Sequence, residues 1–306
     1  MPTLKQLAKR EERFISGHRL CAGCGAALVA RMVMLAIEKP VIVGNATGCL
    51  EVASTIFPYS SWKVPYIHSA FENVAATISG VEAAYRSLKK QEKLSLDAVF
   101  VAFGGDGGTY DIGLQSLSGA AERGHRMLYV CYNNEAYMNT GIQRSSATPR
   151  AAHTTTSPLG KVIPGKVQFP KDLPSIMVAH NIPYVATSIP GRWNDLVNKV
   201  EKAVSLNGFT FIDVLSPCRL GWPHEPELTM EISRLAVDTC IWPLYEVVEG
   251  RYKLTYKPKE KKPIVEWFKL QRRFAHLLKP ENQQLLEEIQ KEVDRRWETL
   301  LKKCEG

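Results

Sequence analysis

From residue 24 to about residue 215 the chain alternates short, near-continuous apolar runs with longer stretches of helical periodicity. Pro40–Gly44, Asp97–Phe103, Met127–Tyr132, Tyr184–Thr187 and Phe209–Leu215 read as strands, and residues 25–38, 71–90, 111–123, 172–180 and 191–206 as helices. A strand apolar at nearly every position, rather than at every second one, is buried on both faces, as in a parallel sheet covered by helices. The repeat therefore specifies an α/β fold built on a doubly wound, mostly parallel sheet. At 306 residues the chain is long enough to bury such a core.

No run approaches the ~18 apolar residues that a membrane helix needs, so no membrane association is expected. The charged start MPTLKQLAKREERF stands where a secretory signal would carry its apolar core. The expected compartment is the cytoplasm, where disulfides are not the default, so seven cysteines call for another role. Net charge is +8, from 39 basic and 31 acidic residues, and it is unevenly spread. Residues 251–306 hold 15 Lys and Arg against 9 Asp and Glu, whereas the first 250 hold 24 against 22. A near-neutral body with a basic tail points to subunit docking, with a self-packed terminal helix as the alternative.

Residues 140–170 show no periodicity and form a long loop of the kind that is either functional or disordered. After residue 216, Pro217, Pro223, Pro226 and Pro243 mark a segment expected to wrap the core rather than extend the sheet. Residues 257–263 (KPKEKKP) read as a linker, and 280–303 as a charged amphipathic helix.

Two groups of residues carry chemistry. Cys21 and Cys24 form a C-x-x-C ahead of a helix, Cys49 follows the first strand, and Cys218 follows the last. In a doubly wound sheet all four reach the carboxyl edge, since the helix after Cys24 runs back antiparallel to the strands. Four thiolates suit zinc or an iron–sulfur cluster, with zinc ahead on the cysteines alone. Cys131 and Cys240 read as plain buried cysteines, and Cys304 lies in the tail. The second group is Gly104-Gly105-Asp106-Gly107-Gly108 after one strand and Asn133-Asn134 at the end of the next. The glycines let backbone approach a phosphate, and Asp106, Asn134 and a nearby carbonyl offer the hard oxygens that a diphosphate-bound Mg²⁺ requires. Neither the dinucleotide fingerprint nor the P-loop is present.

Together these strings resemble the β subunit of pyruvate:ferredoxin oxidoreductase and its 2-oxoacid relatives. The likeness runs through SGHRLCAGCG, ATGCLEVASTIFPYSSWKVPYIHSAFEN, GGDGGTYDIGLQSLSGAAERGH, YNNEAYMNTGIQRSSATP and LSPCRLGW, over residues 14–250. It implies a thiamine diphosphate- and [4Fe–4S]-binding domain over 14–250 and a basic extension over 251–306. Cys21, Cys24, Cys49 and Cys218 match the cluster ligands, with Cys49 also beside the cofactor. Asp106, Asn134 and the Ala136 carbonyl match the Mg²⁺ ligands. Gly105, Gly107, Gly108, Asn134, Glu135 and Asn139 match the segments around thiamine diphosphate, with Asn139 at its reacting end. Ala22, Asn133 and His153 depart from the commonest family pattern without removing a ligand.

The implied activity is oxidative decarboxylation of a 2-oxoacid, pyruvate first, to acyl-CoA and CO₂, with electrons leaving through iron–sulfur centres to ferredoxin. Branched-chain, aryl or oxalate-type substrates are the alternatives within the family. The resemblance also implies partners: a pyrimidine-domain α subunit carrying the activating glutamate, a coenzyme A-side γ subunit and a ferredoxin-like δ subunit, or their fusion. Glu72 and Glu135 lie near the motif without being assigned that glutamate's role. Outside the family stand a non-redox thiamine enzyme and a zinc-stabilised nucleic-acid-binding module. The near-neutral body, without interleaved basic and aromatic residues, argues against nucleic acid as a partner.

Overall fold

The computed structural model describes residues 2–160 and 162–305; Gly306, the end of the expected extension, lies outside them. Eight strands form one sheet: β1 Val41–Ala46, β2 Tyr66–Ser69, β3 Val99–Gly105, β4 Met127–Asn133, β5 Tyr184–Ser188, β6 Phe209–Leu215, β7 Tyr245–Val248 and β8 Arg251–Leu254. Their order across the sheet is β2-β1-β3-β4-β6-β5-β7-β8. Neighbours from β2 through β5 pair in parallel, whereas β7 and β8 add on antiparallel.

Both faces of the central strands are covered. Val101 and Phe103 pack with Val29, Val33 and Val200 of the helices Gly25–Ala36 and Trp193–Ser205. Phe100 and Ala102, one register position away, pack with Ile78 of the helix Val74–Lys90 on the other face. That two-sided burial is why β3, β4 and β6 are apolar throughout. The chain leaves β1 first toward β2 and then, after it, toward β3, so a topological switch point falls between β1 and β3. Ligands of open α/β sheets bind at such a point, outside the carboxyl ends of the strands.

Two expectations need correction. The segment after residue 216 does extend the sheet: Pro243 stands before β7 rather than inside it, and β7 pairs with β5 from Tyr184↔Val248 to Ala186↔Glu246. The basic extension expected over 251–306 also begins inside the sheet rather than beyond it, because Arg251–Leu254 is its eighth strand. Beyond β8 the tail folds back on its own chain. Trp267, Phe268, Phe274 and Leu277 are buried with Trp222, and the terminal helix Gln283–Glu305 buries Ile289, Val293, Trp297 and Leu300. No helix of the described residues is long and apolar enough to cross a membrane.

Candidate functional site

β3 and β4 pair in register up to Gly105↔Tyr132, so Asp106 and the Asn133–Asn134 pair leave the sheet side by side. Asp106 is fully buried. Its Oδ2 accepts the Ser145 hydroxyl at 2.5 Å and its Oδ1 accepts the Asn134 backbone N–H at 3.2 Å. The Asn134 side-chain oxygen lies 3.0 Å from Asp106 Oδ1 and 2.8 Å from the Ala136 carbonyl. Three acceptors thus converge with no donor among them. Turning the amide would satisfy all three, and so would a cation between them. An octahedral Mg²⁺ with bonds of about 2.1 Å holds adjacent oxygens about 3.0 Å apart, which fits this spacing. Burial pushes the Asp106 carboxyl well above the carboxylate range, and nearby Glu135 adds to it.

After Asp106 the chain makes a π-helical turn, Gly107–Ile112, before the helix Leu114–Glu122. The helix expected from residue 111 therefore begins at Leu114. A Cβ on Gly107 would sit 2.5 Å from the Tyr137 ring, and one on Gly108 2.9 Å from the Phe71 carbonyl. The glycines are required by close packing as much as by access to a phosphate.

The thiols come from three segments. The Cys24 N–H donates to the Cys21 carbonyl at 3.0 Å, closing a turn, and Gly25 N–H donates to the Pro217 carbonyl at 3.1 Å. That second bond ties the C-x-x-C to the Ser216-Pro217-Cys218 turn. A Cβ on Gly25 would lie 2.8 Å from Ser216, so only glycine allows this approach. Cys49 opens the short helix Cys49–Ser54 at the end of β1. Burial first, and neighbouring thiols after it, push the Cys24 thiol up to about 11 and the Cys49 thiol up to about 12. Cys218 is raised in the same way, with Cys21 contributing. All seven cysteines are free, Cys131 and Cys240 being buried elsewhere. Among the described residues, no three His, Cys, Asp or Glu side chains form a group that could hold one metal ion.

The two sites share a wall. The Asn139 side chain lies beside the Cys49 thiol and partly offsets its upward shift. Trp222, fully buried, donates its backbone N–H to the Cys218 carbonyl at 2.8 Å and its indole N–H to the Asn134 carbonyl at 2.8 Å. Glu135 is paired with Arg273 and buried with it. Glu72 is exposed. The sequence reading singled out neither Ser145 nor Trp222 nor Arg273. Trp222 at four residues from Cys218 is a readable spacing; Arg273 carries no local signal at all.

Residues 43–214 match the family described as thiamine pyrophosphate enzyme, C-terminal TPP binding domain. Pyruvate synthase subunit PorB of Thermotoga maritima is 53% identical over 309 residues, covering 97% of this chain and 95% of that one. The corresponding subunit of Methanocaldococcus jannaschii is 54% identical over 293 residues, covering 95% and 97%. Ketoisovalerate oxidoreductase subunit VorB of Pyrococcus abyssi is 43% identical over 297 residues, covering 96% and 94%. Among solved structures, a chain of 2-oxoglutarate:ferredoxin oxidoreductase from Magnetococcus marinus superposes with a TM-score of 0.56 at 20% identity. That match covers 74% of this chain and 82% of the other, and is a likeness of fold.

Proposed function

Because the chain belongs to the 2-oxoacid:ferredoxin oxidoreductase family, as the β subunit with the thiamine diphosphate-binding domain, we propose that it acts on pyruvate and holds Mg²⁺ and a [4Fe–4S] cluster. Pyruvate is favoured over branched-chain 2-oxoacids because the pyruvate synthase relatives reach 53% and 54% identity, against 43% for the ketoisovalerate enzyme. The observation that carries the reading is the meeting of three buried oxygens and four thiols at one sheet edge, joined through Trp222.

When bound, thiamine diphosphate would supply the carbanion chemistry of decarboxylation and the cluster would take up the electrons. The chain's own residues hold and orient. Asp106 Oδ1, the Asn134 amide oxygen and the Ala136 carbonyl would hold Mg²⁺, which offsets the cost of burying the Asp106 carboxylate. Gly105, Gly107 and Gly108 keep the backbone slim where the diphosphate would lie. Cys21, Cys24, Cys49 and Cys218 would hold the cluster. A single zinc with bonds of about 2.3 Å draws its four sulfurs to roughly 4 Å of one another. A four-iron cube is held by the same four-thiolate set with its sulfurs farther apart, and the likeness to the family favours it over zinc. Asn139, exposed and beside Cys49, would stand between the cluster and the reacting carbon.

The site is half-built in this chain, and the pyrimidine-domain subunit would supply the activating glutamate. The carboxyl edge suits a cover: Phe57, Tyr59, Ile112, Ile163 and Leu220 are exposed on segments that follow strand ends. Coenzyme A-side and ferredoxin-like subunits, or their fusion, would complete the route to ferredoxin. We place the cofactor-binding unit at residues 14–250, with the charged outer face of 251–306 open to docking. The test is a 2-oxoacid screen of the co-purified complex, with coenzyme A and an electron acceptor. Pyruvate should be the fastest substrate. A faster branched-chain or aryl substrate would overturn the pyruvate assignment, and no 2-oxoacid-dependent reduction would overturn the activity itself.

A further inference from the structure

Glu135 lies between two of the oxygen donors, and every one of its polar groups is held. Its φ of +63° is a left-handed conformation that a glutamate keeps only when its surroundings impose it. Its N–H donates to Asn133 Oδ1 at 3.0 Å, its carbonyl accepts the Thr148 hydroxyl at 2.6 Å, and its carboxylate pairs with Arg273. The preceding carbonyl, of Asn134, is taken by the Trp222 indole N–H at 2.8 Å. Of three successive carbonyls the first two are therefore occupied by donors. The third, on Ala136, is the one 2.8 Å from the Asn134 side-chain oxygen.

Arg273 belongs to the C-terminal extension, 138 residues along the chain from Glu135, and only 3% of its surface is exposed. Its guanidinium lies 4.0 Å from the centre of the Trp222 ring and 4.8 Å from that of Phe274. Its Nη2 and Nε also donate to Gln271 Oε1 at 2.8 and 3.0 Å. A planar cation fixed by aromatic faces and a second acceptor holds a carboxylate in one place. It also neutralises a charge that would otherwise repel the Asp106 carboxylate.

We propose that the C-terminal extension completes the cation site from behind. Arg273, acting on Glu135, and Trp222, acting on the Asn134 carbonyl, are positioning residues that fix the left-handed turn and so aim the Ala136 carbonyl into the oxygen cage. The inference rests on the reading of Asp106, Asn134 and Ala136 as Mg²⁺ ligands, and it gives the extension a task inside its own chain.

The test uses the purified complex with thiamine diphosphate and Mn²⁺ in place of Mg²⁺, free Mn²⁺ being read by EPR. Arg273→Met should weaken Mn²⁺ binding by about 10- to 100-fold, the range for residues that orient metal ligands, and Arg273→Lys should recover part of it. Trp222→Phe keeps a ring against the guanidinium but removes the N–H; about a tenfold loss is expected, and it serves where Arg273→Met does not assemble. Wild-type Mn²⁺ affinity in Trp222→Phe, or in a folded Arg273→Met that has lost only thermal stability, would overturn the proposal, provided Asp106→Ala abolishes binding. Wild-type affinity in Asp106→Ala would instead overturn the ligand assignment beneath it.

Discussion

The oxygen cage and the thiol group stand at the same sheet edge but are held differently. Asp106, Asn134 and Ala136 are all buried, the Asn134 side-chain oxygen already 3.0 Å from Asp106 Oδ1 and 2.8 Å from the Ala136 carbonyl, with Ser145, Trp222 and Thr148 bonded behind them. Cys21 is exposed, Cys24, Cys49 and Cys218 are half-buried, and the turns that carry them are joined mainly through backbone. If it takes a cation as proposed, the hard site is shaped by the fold before the ion arrives. On the proposed reading, the soft site brings its ligands near one another and leaves closure to the metal, whose binding would displace thiol protons. A small, geometrically strict ion needs the first arrangement; a large cluster inserted into a folded chain is compatible with the second.

The comparison can be broken most severely by removing what both sites lean on. Truncation after Lys257 deletes Arg273 and exposes the core under Trp267, Phe268, Phe274, Ile289, Val293 and Trp297. At about 1.5–3 kcal/mol for each large buried side chain, the loss rivals a domain's entire stability of about 5–15 kcal/mol. The truncated chain should be insoluble and lack both cofactors; a soluble chain that retains iron but no longer binds its partners would restore docking as the extension's main task. Next in size, Asp106→Ala should lower Mg²⁺-dependent thiamine diphosphate affinity by at least about a hundredfold while the iron–sulfur spectrum stays unchanged. Cys218→Ser should do the reverse, losing or destabilising the cluster while thiamine diphosphate still binds. If either variant abolished both signals in a folded complex, the two sites would not be separable.

A smaller effect sharpens the account of the sheet beneath the cage. Asp213 is fully buried on β6, hydrogen-bonded by Tyr110, and burial raises its carboxyl to about 7. The folded chain thus holds a proton that the unfolded chain releases near pH 4, so stability is lost as pH rises from about 4 through about 7. Asp213→Asn should remove that loss. Denaturant unfolding should show little difference from wild type near pH 4 and a gain that grows to a plateau above pH 7, at most about 4 kcal/mol. A variant less stable than wild type at pH 8 would show that the carboxylate, not the acid, is the folded form.

The sequence reveals those parts of the molecule that depend on local pattern. β3, β4 and β6 announce themselves because both faces are covered, and Phe209–Leu215 matches its strand residue for residue. Tyr66–Ser69 does not, being a half-exposed edge strand of four residues behind Pro65. β7 and β8 hide for a related reason: short, antiparallel and at the other edge, with Arg251 and Lys253 exposed on the last. The proposed ligand positions are legible because Gly-Asp-Gly, Asn-Asn and C-x-x-C are compact strings. What supports them is not. Ser145 reaches Asp106 across 39 residues, and Arg273 reaches Glu135 across 138; each is an ordinary polar residue until the fold supplies its partner.

Anaerobic production of the chain, with iron, zinc and sulfide measured on the purified protein, bears most directly on the pairing of a preformed oxygen site with a metal-closed thiol site. The account predicts a brown protein with about four irons per chain and acid-labile sulfide to match, lost in Cys218→Ser. A colourless protein carrying stoichiometric zinc on the same four cysteines would contradict it.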